Sequence, residues 1–309
     1  MRVTRNRHTR TLKLDQEVYV HRLLQQYNMD NCTPAPTPEL ERPSQLARSS
    51  AASAVSHSHD HTGPGAVHTH SFGSSTYGSL VGALLYAALC TRPDIAHAVN
   101  MLSRAISNPS EAHLAAAKHL LRYLSGTASL GLTYTCMQTN SANLLVPSSV
   151  TLAPTFCDAD WGGDLATRRS TSGVIVKVNG CTVSWMSKRQ AVVSLSSAEA
   201  EYMAMGSAVQ EIIWLRALLS ELGWPQTSAP TVLQCDNQSA IALAADDLFH
   251  SRTKHIDIRH HFLREHVRVS TVALRWVPTA DQEADILTKA IGRLLFNKLR
   301  AKVLGGIQV

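Results

Sequence analysis

The sequence predicts an α/β domain built on a mixed five-stranded sheet with flanking helices, preceded by a mostly helical segment. Three observations carry that reading. Short β-rich runs recur after residue 151, at 152–157, 173–178 and 181–186, and two more at 231–235 and 271–277 alternate with helical stretches. Asn179-Gly180 separates the second and third runs, and Asn-Gly between alternating apolar residues is a strong signal for a tight hairpin. Before residue 151, apolar positions recur mainly at helical spacing.

The elements follow in order. Residues 10–14 read as a short strand and 16–27 as a helix, closed by the proline-broken run Thr33-Pro-Ala-Pro-Thr-Pro. Residues 39–76 are rich in Ser, Ala, Gly and His without apolar periodicity and read as a linker. Its histidines 57, 59, 61, 68 and 70 could hold a metal weakly, but nothing in the pattern fixes their geometry. Two helices are expected next: 80–102, interrupted at Thr91-Arg92-Pro93, and 110–124, stopped by Gly126. Residues 135–150 are again polar. Beyond the hairpin come a long helix after Ser196, helices at 238–245 and 256–268, and a last helix from Asp281. The expected division is therefore 1–38, a linker 39–76, a helical part 77–134, a linker 135–150, the α/β domain 151–300 and a tail 301–309.

Composition sets the limits. The chain has 309 residues, 44% hydrophobic and 17% charged, enough apolar material for a packed core and room for about two domains. The longest apolar run, 80–90, is about half the roughly 20 residues a membrane-spanning helix needs. The start, MRVTRNRHTRTLKL, is basic without an apolar stretch behind it, so it does not read as a secretory signal. Six cysteines with no CxxC pair read as reduced thiols, and cytoplasmic or nuclear residence is expected. The net charge is +6. Basic residues gather in 1–27 and 252–268, whereas Asp158, Asp160 and Asp164 form an acidic spot. Basic flanks around an acidic centre suit a phosphate backbone held beside cations.

The long helix is the most informative element. Ser196 with Glu199 fits a capping box, and Gly223 with Pro225 ends the helix. Met205, Ala208, Ile212, Leu215, Leu219 and Leu222 define its apolar stripe. At roughly 100° per residue, Glu201 falls within that stripe and Glu199 on the opposite face. A carboxylate aimed inward requires a cation or donors unless it sits at the stripe's exposed end. Asp158 and Asp236 follow the first and fourth strand runs, where open α/β sheets place their chemistry. Asp236 is equally readable as a helix-capping acid. Asp285 is expected in the first turns of the last helix, beside Ala284, Leu287, Ile291 and Leu294, where a dipole-compensating role is the ordinary reading. Together these four acids form a hard-oxygen set suited to Mg²⁺ or Mn²⁺.

At this point the sequence resembles the Pol polyproteins of copia-type LTR retrotransposons over almost its whole length. The resemblance rests on FCDADWGGD (156–164), RRSTSG (168–173), SWMSKRQ (184–190), SLSSAEAEYMA (194–204), LQCDNQSAI (233–241), TKHIDIRHHF (253–262) and ADQEADILTK (280–289), all in the family's order. It implies a ribonuclease H-like domain over 151–300 that cuts the RNA strand of an RNA–DNA hybrid. It also implies the end of a reverse transcriptase and its connection over 1–38 and 77–134, carried by TRPDIAHAVNMLSR and LLRYLSGT. On that resemblance Asp158, Glu201, Asp236 and Asp285 match the four catalytic, metal-binding carboxylates, with two Mg²⁺ or Mn²⁺ as cofactors. The face calculation independently prefers Glu201 to Glu199.

The resemblance further places Ser197, Asn237 and Gln238 near the minor groove of the hybrid. Arg168, Arg169, Lys188 and Arg189 are candidate phosphate contacts, solvated surface charge being the plain alternative. The rest of a Pol polyprotein is an implied partner. Two departures stand out: the loop before the last acid, Pro278-Thr279-Ala280, lacks the histidine of cellular relatives, and the polymerase's Tyr-x-Asp-Asp motif is absent, so no polymerase activity is expected. The histidine-rich stretch 47–76 also departs from the family. A rival reading is a decayed element that binds nucleic acid through its basic surface without catalysis.

Overall fold

A computed structural model describes residues 1–39, 74–135, 150–245 and 254–305. Most of both expected linkers, the five linker histidines, Arg252 and the last four residues lie outside the described residues, as do the side chains of 254–260.

The first part of the chain opens with strands β1 (Arg2–Asn6) and β2 (Thr11–Asp15), then helix α1 (Glu17–Gln26). Helix α2 (Ser74–Cys90) starts earlier than the apolar pattern predicts and stops at the expected Thr91-Arg92-Pro93 break. A 3₁₀ turn (Pro93–Ile95), α3 (Ala96–Ser103) and α4 (Glu111–Gly126) follow. Strand β3 (Gly131–Thr135) pairs antiparallel with β2, Leu14 opposite Leu132, giving a three-stranded sheet β1-β2-β3. The segment is mostly helical as expected and contains the expected strand near 10–14; β1 and β3, which complete the sheet, were not expected. Neither β1 nor β3 has clear alternation of its own, and β3 becomes a strand only because β2, distant in sequence, supplies its hydrogen bonds.

The second part carries the predicted five-stranded mixed sheet. Its strands are β4 (Leu152–Ala159), β5 (Thr171–Val178), β6 (Cys181–Arg189), β7 (Thr231–Cys235) and β8 (Val272–Trp276), in the order β6-β5-β4-β7-β8. β4, β5 and β6 form an antiparallel meander, and β7 and β8 run parallel to β4. At the hairpin Asn179 has φ 50° and Gly180 φ 78°, the left-handed pair that a two-residue turn of this hand requires.

Alternation along β4 sends successive side chains into two cores. Cys157, with Val174, Leu233 and Cys235, packs beneath α5 (Ser197–Glu221), α6 (Gln238–Ala245) and α7 (Lys254–Arg268). Phe156 and Ile175 face the other way. They share one continuous core with the N-terminal helices, a 3₁₀ segment (Glu283–Leu287) and the last helix, α8 (Arg293–Leu304). Trp185 Nε1 donates to the Ala88 carbonyl across this seam (2.9 Å), and Asn100 Nδ2 donates to Ser187 Oγ (3.1 Å).

The last helix begins at Arg293 rather than Asp281. Two short 3₁₀ turns, Thr279–Asp281 and Glu283–Leu287, occupy the predicted first turns, and Leu294, expected on the apolar stripe, is 88% exposed. The Thr288 backbone amide donates to the Asp285 carbonyl (3.2 Å), closing the second turn on itself. Leu222 likewise lies outside the core, at the exposed end of α5.

Candidate metal centre

Because β4, β7 and β8 are parallel, their carboxyl ends meet at one edge of the sheet. Asp158 stands near the end of β4, and Asp236 follows β7. The register pairs Phe156 with Gln234, so the two aspartates sit side by side on neighbouring strands. Asp285 arrives from the 3₁₀ segment laid over the sheet. Gly173, opposite Asp158 on β5, permits that approach: a Cβ there would stand 2.7 Å from the Thr288 methyl and 2.9 Å from the Ala284 carbonyl oxygen. Carboxylate oxygens of Asp158, Asp236 and Asp285 lie within 4.8 Å of one another.

Glu201 comes from above. Its end of α5 carries Ala200, Ala204, Gly206 and Ala208, small residues that let the helix lie close to the sheet. Glu201 is 5% exposed, so the inward aim read from periodicity holds. Glu199 is buried as well, because this end of α5 is covered on most sides. Ser196 accepts from the Glu199 amide (3.1 Å), and the Glu199 carboxylate accepts from the Leu195 amide (2.7 Å), one residue before the cap. Glu199 is thus a capping group, and Glu201 reaches the cluster.

The electrostatics are those of crowded like charge. Burial, then the charge of Asp158, pushes the Glu201 carboxyl far above the usual range. Burial and Asp158 likewise raise Asp285, opposed by Lys289. Lys289 Nζ is 2.9 Å from Asp285 Oδ1 and 3.5 Å from Asp158 Oδ2. Burial alone would lower that ammonium, but Asp158 and Asp285 hold it above its ordinary range. One lysine against four acids leaves negative charge in excess.

Supporting bonds orient the set. Thr288 donates to Asp158, Gln282 Nε2 to the Cys157 carbonyl (2.9 Å) and Thr279 Oγ1 to Asp236 Oδ2 (2.8 Å). The capping reading of Asp236 therefore falls away: Asn237 Oδ1 accepts from the Ala240 amide (3.0 Å) and caps α6, leaving Asp236 to the cluster. Lys289 and Thr288 escaped the sequence reading. The four-residue step from Asp285 to Lys289 was the available signal, since that spacing pairs opposite charges on a helix.

The other candidates spread around this edge. Ser197, Gln238, Arg168 and Lys188 are exposed, and Asn237 and Arg169 are half-buried. Arg189 is half-committed, its guanidinium 2.7 Å from Asp164, which Arg104 also holds at 3.2 Å. Asp164 thus leaves the acidic spot for an internal ion-pair network. The residues present fit a hard divalent cation on the chemistry of the donors: three aspartates and a glutamate, compressed, with a cationic excess absent. Among the described residues no helix is long and apolar enough to cross a membrane.

Comparison with known proteins agrees with the motif reading. No protein-family model matches the chain. The chain is 38% identical over 296 residues to the retrovirus-related Pol polyprotein from transposon TNT 1-94 of Nicotiana tabacum, covering 96% of this chain and 20% of that one. It is 37% identical over 292 residues to the Pol polyprotein from transposon RE1 of Arabidopsis thaliana, covering 94% and 18%. The chain therefore spans about a fifth of the length of these relatives. Among solved structures, the N-terminal RNase H domain of a Mycobacterium tuberculosis protein matches 49% of the chain and 95% of its own at 12% identity, with a TM-score of 0.33, too low to bear weight. Over almost its whole length, the chain is similar to a stretch of the retrovirus-related Pol polyproteins of copia-type transposons.

Proposed function

We propose that residues 151–300 form a metal-dependent ribonuclease H that hydrolyses the RNA strand of RNA–DNA hybrids, as one part of a retrotransposon Pol polyprotein. The observation carrying this reading is the meeting of Asp158, Asp236 and Asp285 within 4.8 Å, with Glu201 buried against them. Asp158, Glu201, Asp236 and Asp285 would hold Mg²⁺ or Mn²⁺. Two such ions would supply charge stabilisation for both the attacking and the leaving oxygen of a phosphodiester.

The chain's own groups do the rest. Thr288 and Lys289 hold the Asp158 carboxylate, and Thr279 holds that of Asp236, so the site is oriented before substrate arrives. Lys289 carries the positive charge that keeps the acids together in the absence of other cations. Exposed Arg168 and Lys188 suit the phosphate backbone, and Ser197, Asn237 and Gln238 suit contacts with the 2′-hydroxyl side of the hybrid.

The test is cleavage of an end-labelled RNA–DNA hybrid by the full chain with Mg²⁺. Cleavage confined to the RNA strand, abolished by chelation and reduced at least about 10³-fold in Asp158→Asn, is expected. Activity surviving that substitution, or salt-sensitive binding of the hybrid with no turnover, would overturn the assignment.

A further inference from the structure

The centre has a sulfur side that the four-carboxylate reading does not use. Strand alternation places Cys157 and Cys235 on the face under α5, opposite to Phe156. The parallel register brings the two cysteines next to each other. Both are 0% exposed. The Cys157 thiol donates to the Gln234 carbonyl at 3.6 Å. The Cys235 thiol donates to Glu201 Oε2 at 3.7 Å, and its sulfur accepts from the Asn237 amide at 3.4 Å. The cysteine sulfur, a Glu201 oxygen and an Asp236 oxygen all lie within 4.8 Å of one another.

The cluster thus divides by ligand chemistry. The Asp158–Asp236–Asp285 group is all oxygen and suits a hard cation. The Glu201–Cys235–Asp236 group joins a thiol to two carboxylates, with a second thiol beside it, and thiolate ligands select softer ions. We propose that Glu201, Cys235 and Asp236 form a second site, for a thiophilic divalent ion of the zinc class. Asp236 belongs to both groups, so this ion competes with the hard cation. On binding, the Cys235 thiol becomes a thiolate and its proton passes to solvent. Asp236 is half-exposed and offers the way in.

Binding of the ion stands apart from the nuclease reading; only the antagonism rests on it. The full chain, reduced and metal-free, is titrated with Co²⁺ as a spectroscopic stand-in for zinc. A near-ultraviolet thiolate-to-cobalt charge-transfer band is expected. It should disappear on adding Zn²⁺ and in Cys235→Ser, and persist in Asp285→Asn and in Cys32→Ser. Histidine nitrogen coordinated to cobalt gives no thiolate charge-transfer band, so the histidines at 57, 59, 61, 68 and 70 would not mimic the signal. Thermal unfolding checks that Cys235→Ser is folded, and Glu201→Gln provides a second route, with about 10-fold weaker Co²⁺ binding expected. No charge-transfer band in the parent chain, a band surviving in folded Cys235→Ser, or unchanged affinity in Glu201→Gln would overturn the proposal. If hybrid cleavage is present, Zn²⁺ should inhibit it and excess Mg²⁺ relieve the inhibition. Binding without any cleavage would sink the nuclease reading and leave this site standing.

Discussion

Among the described residues, two of the buried clusters of charge are built oppositely. In the first, Arg92 is 0% exposed and grips Asp94 with two bonds of 2.9 and 2.8 Å. Its remaining donors go to the Thr127 carbonyl and hydroxyl, at 2.9 and 2.8 Å. The Tyr123 hydroxyl donates to Asp94 (2.6 Å) and accepts from Arg300 (3.1 Å). Burial alone would raise Asp94, yet Arg92 holds it below the ordinary carboxylate range. Every charge is answered. In the second cluster four acids share one lysine, and two of them are driven far above their usual range. A structural charge is matched group by group, whereas an unmatched set marks a place prepared for something from outside.

The comparison can be broken most sharply at the matched knot. Asp94→Ala leaves a buried guanidinium unanswered and should cost about 3–5 kcal/mol in a denaturant titration. Asp158→Asn should cost nothing in the metal-free chain. Equal losses for the two would end the distinction drawn here.

Gly173→Ala tests how the unmatched cluster is held. The added methyl must displace the Ala284–Thr288 segment, which predicts a loss of about 1–3 kcal/mol. The Mg²⁺ concentration needed for half-maximal cleavage should also rise, and an unchanged requirement would mean that Asp285 is not positioned from this strand.

Glu201→Gln carries the opposite sign. Replacing a carboxyl that the fold must keep protonated, while the unfolded chain ionises it freely, should stabilise the metal-free chain near neutral pH by about 1–2 kcal/mol, at roughly 1.4 kcal/mol per pKa unit relieved. Cleavage should fall at the same time. Calorimetric unfolding without metal decides it, and destabilisation would contradict the crowding.

The smallest effect is in the pH profile. Glu201 and Asp285 have folded pKa values above their unfolded ones, so the folded state keeps protons that the unfolded chain releases. Their contribution is full below the unfolded values and is lost as pH rises through the folded ones. Asp94, held low, contributes above its unfolded value and loses that contribution as pH falls. The metal-free chain should therefore lose stability toward neutral pH, and Mg²⁺ should flatten that slope. A flat profile without metal would remove the electrostatic basis of the comparison.

Much of this was readable in advance where the controlling interactions are local. The Asn179-Gly180 hairpin, the break at Thr91-Arg92-Pro93 and the inward face of Glu201 each depend on residues within a few turns of one another. Strand β3 was invisible because its hydrogen bonds come from β2, across most of the N-terminal part, and β1 because it is exposed along its whole length and presents no apolar face to read. The 3₁₀ form of 283–287 was missed because Gly173 and Asp158, on other strands, select it over a helix.

By itself the sequence determined the order of the five strands after residue 151, the mixed sheet they form and the four candidate acids, since periodicity and turn chemistry act over short stretches of chain. Only the tertiary structure decided which acids share a charge, that Asp164 turns away to Arg104 and Arg189, and that two thiols line the underside of the cluster. Those outcomes depend on distances across the fold, where burial strengthens every repulsion and register decides which side chains become neighbours.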